Sequence, residues 1–146
     1  MNDKKYEGLK LENQLCFPLY AASREIIKRY RPHLDAIGLT YTQYITMMVF
    51  WQEKKINVKE LGKKLYLDSG TLTPVLKSLE SKGYVRRYRS ESDERFLIVE
   101  ITEEGEKLKA AAASIPKKIV GCVQLNAEEA RQLYSLLYKV LGEKER

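Results

Sequence analysis

With one histidine, His33, and only two cysteines, Cys16 and Cys122, the 146-residue chain lacks the Cys/His cluster of a structural zinc site. The cysteines lie 106 positions apart and form no CxxC pair, so neither a structural disulfide nor a dithiol motif is expected. No apolar run approaches the ~20 residues that span a bilayer, and residues 1–10 are too polar for a signal peptide. A soluble, cytoplasmic protein with no membrane partner is the expectation. Glycine-rich nucleotide loops, Gly/Ser linkers, low-complexity tracts and internal repeats are also missing, so neither a cofactor nor a metal is expected. What remains is ordinary globular material, 44% hydrophobic and 32% charged, of a length that suits one domain over residues 1–146. Twenty-six Lys and Arg against 20 Asp and Glu leave a net charge of +6, which makes a polyanionic partner plausible.

The first periodic segment runs from about Leu11 to Arg31, where Cys16, Tyr20, Ser23, Ile27 and Tyr30 share one helical face. Pro18 either kinks this helix or sits in its first turns, and Pro32 stops or bends it. A turn through Gly38 leads to a helix over about Thr42 to Gln52, with Ile45, Met48, Val49 and Trp51 for packing. Asn57 followed by Glu60 has the form of a capping box and opens a short helix ending near Tyr66. Asp68 or Ser69 caps the next helix, whose Leu72, Val75, Leu76 and Leu79 face inward and which Gly83 terminates. Beyond Gly83 the β-branched and aromatic content of Tyr84 to Arg89 and of Arg95 to Ile101, around a polar loop, predicts a β-hairpin. Thr102 caps a further helix, broken or kinked at Pro116 and running on towards Cys122. Asn126 with Glu129 caps the last, whose Leu133, Leu136, Leu137, Val140 and Leu141 exceed the partner surface so small a chain can supply.

The order predicts a mainly α fold with a small β-hairpin wing. It is a winged helix-turn-helix over residues 42–101, flanked by dimerisation helices at 11–32 and 102–145. In such a unit the second helix enters the major groove, and Ser69, Thr71, Thr73 and Lys77 supply the short polar and cationic groups that reach bases and phosphates. The hairpin adds Arg86, Arg87, Arg89 and Arg95, suited to a narrow minor groove. Residues 54–95 hold 11 basic and 6 acidic side chains, so +5 of the chain's +6 is concentrated there. A solvated charged face and a merely structural hairpin would use the same residues, but caps, element order and charge together favour double-stranded DNA.

Cys16 by itself reads as a small buried hydrophobe. Tyr20 one turn away, and Tyr30 returning to nearly the same face, change that: phenolic hydroxyls beside the sulfur would favour thiolate over thiol and make it a nucleophile. Fourteen residues rise about 21 Å, so Tyr30 could reach Cys16 only from a second, antiparallel subunit. Amphipathic packing explains the same tyrosines equally well.

The strings LENQLCFPLYAASREI at residues 11–26, LYLDSGTLTPVLKSLE at 65–80 and DER at 93–95 carry a resemblance over nearly the whole chain. On them the sequence is similar to the MarR family, specifically to OhrR-type organic hydroperoxide sensors. That resemblance implies a homodimeric repressor and not an enzyme. It binds an inverted-repeat operator when reduced and releases it once organic hydroperoxide has oxidised its cysteine. It implies that Cys16 is the peroxidatic thiol, held by Tyr20, by Tyr30 of the other subunit and by Tyr41. It places Ser69, Thr71, Thr73 and Lys77 in the recognition helix, and makes Arg95 the wing-tip arginine that Asp93 orients. Cys122 falls where two-cysteine members keep the residue that forms an intersubunit disulfide, and would be the resolving thiol; a buried structural thiol is the alternative. Two other functions would use the same chain: a regulator controlled by a small aromatic ligand without thiol chemistry, and a thiol peroxidase. The absence of any partner motif for turnover weighs against the peroxidase.

Overall fold

The computed structural model of the chain describes residues 3–143. It divides into two compact units, Met1–Ile115 and Pro116–Arg146. In the first, two 3-10 helices, Asp3–Leu9 and Leu11–Asn13, precede α1 (Cys16–Asp35), α2 (Tyr41–Glu53), β1 (Lys55–Asn57), α3 (Val58–Leu65), α4 (Ser69–Ser81), β2 (Val85–Arg89), β3 (Leu97–Ile101) and α5 (Glu103–Ala112). Helix α6 (Ile115–Val123) begins at the boundary, and α7 (Ala127–Val140) belongs to the second unit. The mainly α architecture with a winged helix-turn-helix is as expected; residues 144 and 145 of the expected terminal helix lie outside the described residues. Among the described residues, no helix is long and apolar enough to cross a membrane.

Several boundaries differ from expectation for identifiable reasons. Helix α1 starts at Cys16, so Pro18 is its third residue, where the N–H has no intrahelical acceptor in any case. Pro32 neither stops nor ends α1, which runs on to Asp35 and buries Leu34. Helix α2 opens one residue early because Thr40 forms a full capping box with Gln43, a device hidden inside TYTQ. Its buried side chains are Gln43, Tyr44, Thr46, Met47, Phe50 and Trp51. Ile45 and Val49 are only half-buried and Met48 is exposed. The expected packing face was therefore mis-phased except at Trp51. The chain breaks after α5 at residues 113–114, so Pro116 sits in the first turn of α6 instead of kinking a continuous helix.

The wing is a three-stranded antiparallel sheet in the order β1-β3-β2. Strand β1 pairs Lys55, Ile56 and Asn57 with Glu100, Val99 and Ile98, and β2 pairs with β3 from Val85↔Ile101 to Arg89↔Leu97. The hairpin alone was expected; β1 is too short to show a period. A core of Met47, Phe50, Leu61, Leu72, Leu76, Leu79, Val85 and Val99 seals the helix-turn-helix against the sheet. At ~1.5–3 kcal/mol per fully buried large side chain, this is the chief stabilising term of the first unit. The indole N–H of Trp51 donates to the Gly105 carbonyl at 2.9 Å, tying α2 to α5. Gly105 is required there: a Cβ would clash with the Tyr84 carbonyl and lie 2.7 Å from Ile101 Cγ1.

Candidate nucleic-acid interface and cysteine site

Helices α3 and α4 are joined by a turn in which Tyr66 adopts the left-handed region at φ 55° and the Leu67 N–H donates to the Gly62 carbonyl at 3.0 Å. A Cβ on Gly62 would stand 2.8 Å from the Leu67 carbonyl oxygen, so only glycine lets the turn close this tightly. Asp68, not Ser69, caps α4, accepting from the Thr71 N–H at 2.7 Å. That bond holds the Asp68 carboxyl below its ordinary range. With Leu72, Leu76 and Leu79 buried, the opposite face of α4 presents Ser69, Thr71, Thr73 and Lys77, all exposed. The Thr73 hydroxyl donates to the Ser69 carbonyl at 2.7 Å, leaving its oxygen lone pairs outward. Lys77 makes no ion pair among the described residues. A groove of about 650 Å³ between α3 and α4 is lined by Lys59, Lys63, Tyr66 and Ser69, among others. Lys59 and Lys63 were missed as candidates; their i, i+4 spacing on α3 was the available signal.

The pleat sorts the hairpin arginines. Arg86 and Tyr88 share the outer sheet face, where Arg86 pairs with Glu100 and lies over the Tyr88 ring at 5.0 Å. Arg87 faces the other way, towards α4, and its guanidinium bonds Glu80 at 3.0 Å with only 22% of the side chain exposed. It departs from the expectation of a cation offered to solvent. Arg89 is exposed at the end of β2. In the loop between the strands, Arg95 Nε donates to Asp93 Oδ1 at 3.0 Å and its NH2 to Oδ2 at 2.8 Å, while 87% of the arginine side chain stays exposed. Arg95 holds the Asp93 carboxyl below the ordinary aspartate range. The result is a projecting guanidinium whose direction is set before any partner arrives.

Cys16 is exposed and is the first residue of α1, where the backbone N–H groups of the opening turn lack acceptors. Tyr20, one turn on, is also exposed; its hydroxyl accepts from Arg24 at 2.9 Å, with the guanidinium 5.6 Å from the ring centre. Tyr30 is half-buried and packs on Tyr41 (5.0 Å) and Tyr44 (5.8 Å), joining α1 to α2. Burial raises the Tyr30 and Tyr44 phenols above their usual value, so both remain protonated donors at neutral pH. Tyr44, buried in the structure, was missed because the expected packing face of α2, Ile45, Met48, Val49 and Trp51, left it out. The structure thus brings Tyr30 and Tyr41 together. Within one chain it leaves Tyr30 about 21 Å along the axis of α1 from Cys16. In the second unit the Cys122 thiol lies 3.4 Å from the Lys118 carbonyl, to which it donates.

Large apolar side chains are left uncovered on two helices. Phe17, Leu19, Tyr20 and Ile27 are exposed on α1, and Leu133, Tyr134, Leu136 and Val140 on α7, which buries no residue. Large apolar side chains exposed in such number on one helix mark interaction sites.

A family model described as transcriptional regulator SarA/Rot matches residues 28–112. The organic hydroperoxide resistance transcriptional regulator of Bacillus subtilis (strain 168) is 48% identical over 139 residues, 95% of this chain and 95% of that protein. The HTH-type transcriptional regulator SarZ of Staphylococcus aureus (strain USA300) is 44% identical over 90% of this chain and 88% of its own length. Among solved structures, AbfR of Staphylococcus epidermidis in its reduced, DNA-bound form is 35% identical with a TM-score of 0.76, covering 96% of this chain and 97% of that one. A disulfide-formed structure of AbfR, also 35% identical, has a TM-score of 0.62 with 97% of both chains covered. The curated relatives are transcriptional regulators, not enzymes.

Proposed function

The chain belongs to the MarR-type transcriptional regulators, in the branch of the organic hydroperoxide regulators, and from that premise we propose that it is a dimeric, operator-releasing sensor of organic hydroperoxide. Residues 42–101 form the DNA-reading unit, and residues 11–32 and 102–145 the dimer contact, in which the uncovered faces of α1 and α7 are buried. Ser69, Thr71, Thr73 and Lys77 read one major groove, and Arg95, aimed by Asp93, enters the adjacent minor groove. Two-fold symmetry makes the operator an inverted repeat.

The observation that carries the redox reading is the position of Cys16: exposed, at the anion-favouring end of a 20-residue helix, on the face α1 leaves uncovered. Tyr20 of the same chain, with Tyr30 and Tyr41 of the partner subunit, surrounds the sulfur. The Cys16 thiolate attacks the distal peroxide oxygen, the O–O bond breaks, and the alkoxide leaves and is protonated to the alcohol; the cysteine becomes a sulfenic acid. The thiol of the partner subunit's Cys122 then displaces water to form a disulfide. The disulfide-formed structure of AbfR supports that last step by analogy. Rearranged α1 packing shifts both recognition helices out of register with their half-sites.

The test titrates reduced protein with organic hydroperoxide while following DNA binding. Loss of binding at one equivalent per Cys16, reversed by dithiol, is the expected result. Indifference to oxidant would assign the protein to the ligand-controlled regulators, and continuing consumption to the peroxidases. Cys16→Ser should bind DNA and ignore oxidant. After one equivalent of oxidant, a non-reducing gel should show a covalent dimer in wild type and none in Cys122→Ser.

A further inference from the structure

Glu80 lies in the last turn of α4, where the negative end of the helix dipole disfavours a carboxylate. Its surroundings explain why it is there. Oε1 accepts from Arg87 NH2 at 3.0 Å, and Oε2 accepts from the Arg87 backbone N–H at 3.2 Å. One residue of β2 therefore engages both oxygens of one residue of α4, once through its side chain and once through its main chain. Strand β2 is an edge strand, and Glu80 occupies an outward N–H that β3 does not use. Immediately before β2 the chain is tied to α4 by main-chain bonds, the Gly83 N–H on the Glu80 carbonyl at 2.9 Å and the Tyr84 N–H on the Leu79 carbonyl at 3.0 Å.

We propose that Glu80 and Arg87 are positioning residues that clamp the wing to the recognition helix, setting the span between the α4 reading face and the wing-tip Arg95. The proposal rests on the reading in which α4 and Arg95 enter neighbouring grooves. Two-groove recognition needs that span fixed: a wing free to swing reaches the minor groove only after losing conformational freedom, so α4 and Arg95 cease to bind as one unit. Arg87 suits the task because a guanidinium offers a rigid planar fork, whereas a lysine is a flexible point charge. It also follows that Arg87, its charge already matched by Glu80, is not one of the DNA contacts.

The two roles give opposite signs. Were Arg87 a phosphate contact, Glu80→Gln would free its guanidinium and remove a negative charge facing DNA, tightening binding. A clamp predicts the reverse. The probes are a duplex selected by wild-type protein from a randomised inverted-repeat library, and sheared duplex DNA. Glu80→Gln should bind the selected duplex about tenfold more weakly, comparable to one mismatched base pair, with sheared DNA bound as before or tighter. Arg87→Lys, which keeps the charge, should lose about as much, and Arg87→Gln should leave the salt dependence of binding unchanged. The Glu80→Arg, Arg87→Glu double variant should bind better than Arg87→Glu alone. Melting temperatures identify any variant that fails to fold; Arg87→Lys, the milder change, then decides the matter.

Equal or tighter binding of the selected duplex by Glu80→Gln overturns the clamp, as does a salt slope reduced by about 0.9 in Arg87→Gln. If wild type selects no duplex, the DNA reading itself fails and takes the clamp with it. If wild type selects one and Arg95→Ala loses it while Glu80→Gln does not, the clamp alone is wrong.

Discussion

Replacing Gln43 by leucine should weaken the first unit by about 1 kcal/mol, and the reason is a buried polar hub. Gln43 is 7% exposed. Its Oε1 accepts from the Thr40 N–H at 3.0 Å and from Lys82 Nζ at 3.1 Å, and its Nε2 donates to Ser78 Oγ at 2.8 Å. One side chain thus joins the α1–α2 turn to the C-terminal part of α4. Leucine retains the main-chain half of the capping box, in which the residue 43 N–H donates to Thr40 Oγ1, and forfeits the other three bonds. Leaving the Thr40 donor without a partner costs about 1–3 kcal/mol, while Lys82 and Ser78 regain most of their loss from water. The added apolar burial offsets part of this, about 1 kcal/mol. Urea unfolding followed by Trp51, the chain's sole tryptophan, reports on α2 directly. At a slope of about 2–3 kcal/mol/M the midpoint should fall by roughly 0.3–0.5 M, measured at matched protein concentration because the proposed dimerisation would be linked to folding. Ser78→Ala should cost about 1 kcal/mol alone and less in the Gln43→Leu background. A midpoint unchanged or raised by Gln43→Leu would refute the view that this network stabilises the fold.

Four further outcomes follow from the structure. Arg95→Ala should weaken specific DNA binding at fixed salt without altering the melting temperature, since 87% of that side chain is exposed; Lys77→Ala should reduce the salt slope by about one. Because Arg95 lowers the folded-state value of Asp93, the pair is intact above the ordinary aspartate range and is lost only as pH falls through the lower, folded value. Between pH 5 and 8 the affinity deficit of Asp93→Asn should therefore stay constant, and a deficit that varies across that window would contradict the pairing. Gly105→Ala drives a Cβ into the Tyr84 carbonyl and Ile101, and should lower the melting temperature by roughly 5–10 °C, as overpacking by ~1–3 kcal/mol implies for a chain of this size.

Local signals were legible wherever they were strong and short-range. Asn57, Asp68, Thr102 and Asn126 each cap a helix through a side chain accepting from the residue three positions on. What depends on the tertiary environment was not legible. Helix α2 touches α1, α3, α4, α5 and the sheet, so its apolar run has no single inward face to recover from period, and the expected Met48 is exposed while Met47 is wholly buried. Strand β1 has three residues and no pattern of its own; it exists because Lys55 to Asn57 lie beside β3. Local grounds predict that Pro32 stops or bends the helix, and α1 does not stop there but continues to Asp35.

The candidate site divides along the same line. Asp93 and Arg95 are two residues apart, so their pairing could be anticipated, and both oxygens of Asp93 do orient the guanidinium. Arg86, Arg87 and Arg89 are equally basic on paper, and charge counting treats them alike. Their fates follow from the pleat and from partners distant in sequence: Glu100 across the sheet for Arg86, Glu80 on α4 for Arg87. Arg89 and Lys77 make no ion pair among the described residues. The excess charge of residues 54–95 is therefore not a uniform basic face. Where an acid pairs with an arginine, burial separates the two outcomes: the 87%-exposed Arg95 is aimed outward by Asp93, and the 22%-exposed Arg87 is turned inward onto Glu80. A carboxylate near a DNA-reading surface need not oppose binding, because its effect depends on whether the cation it holds still faces solvent.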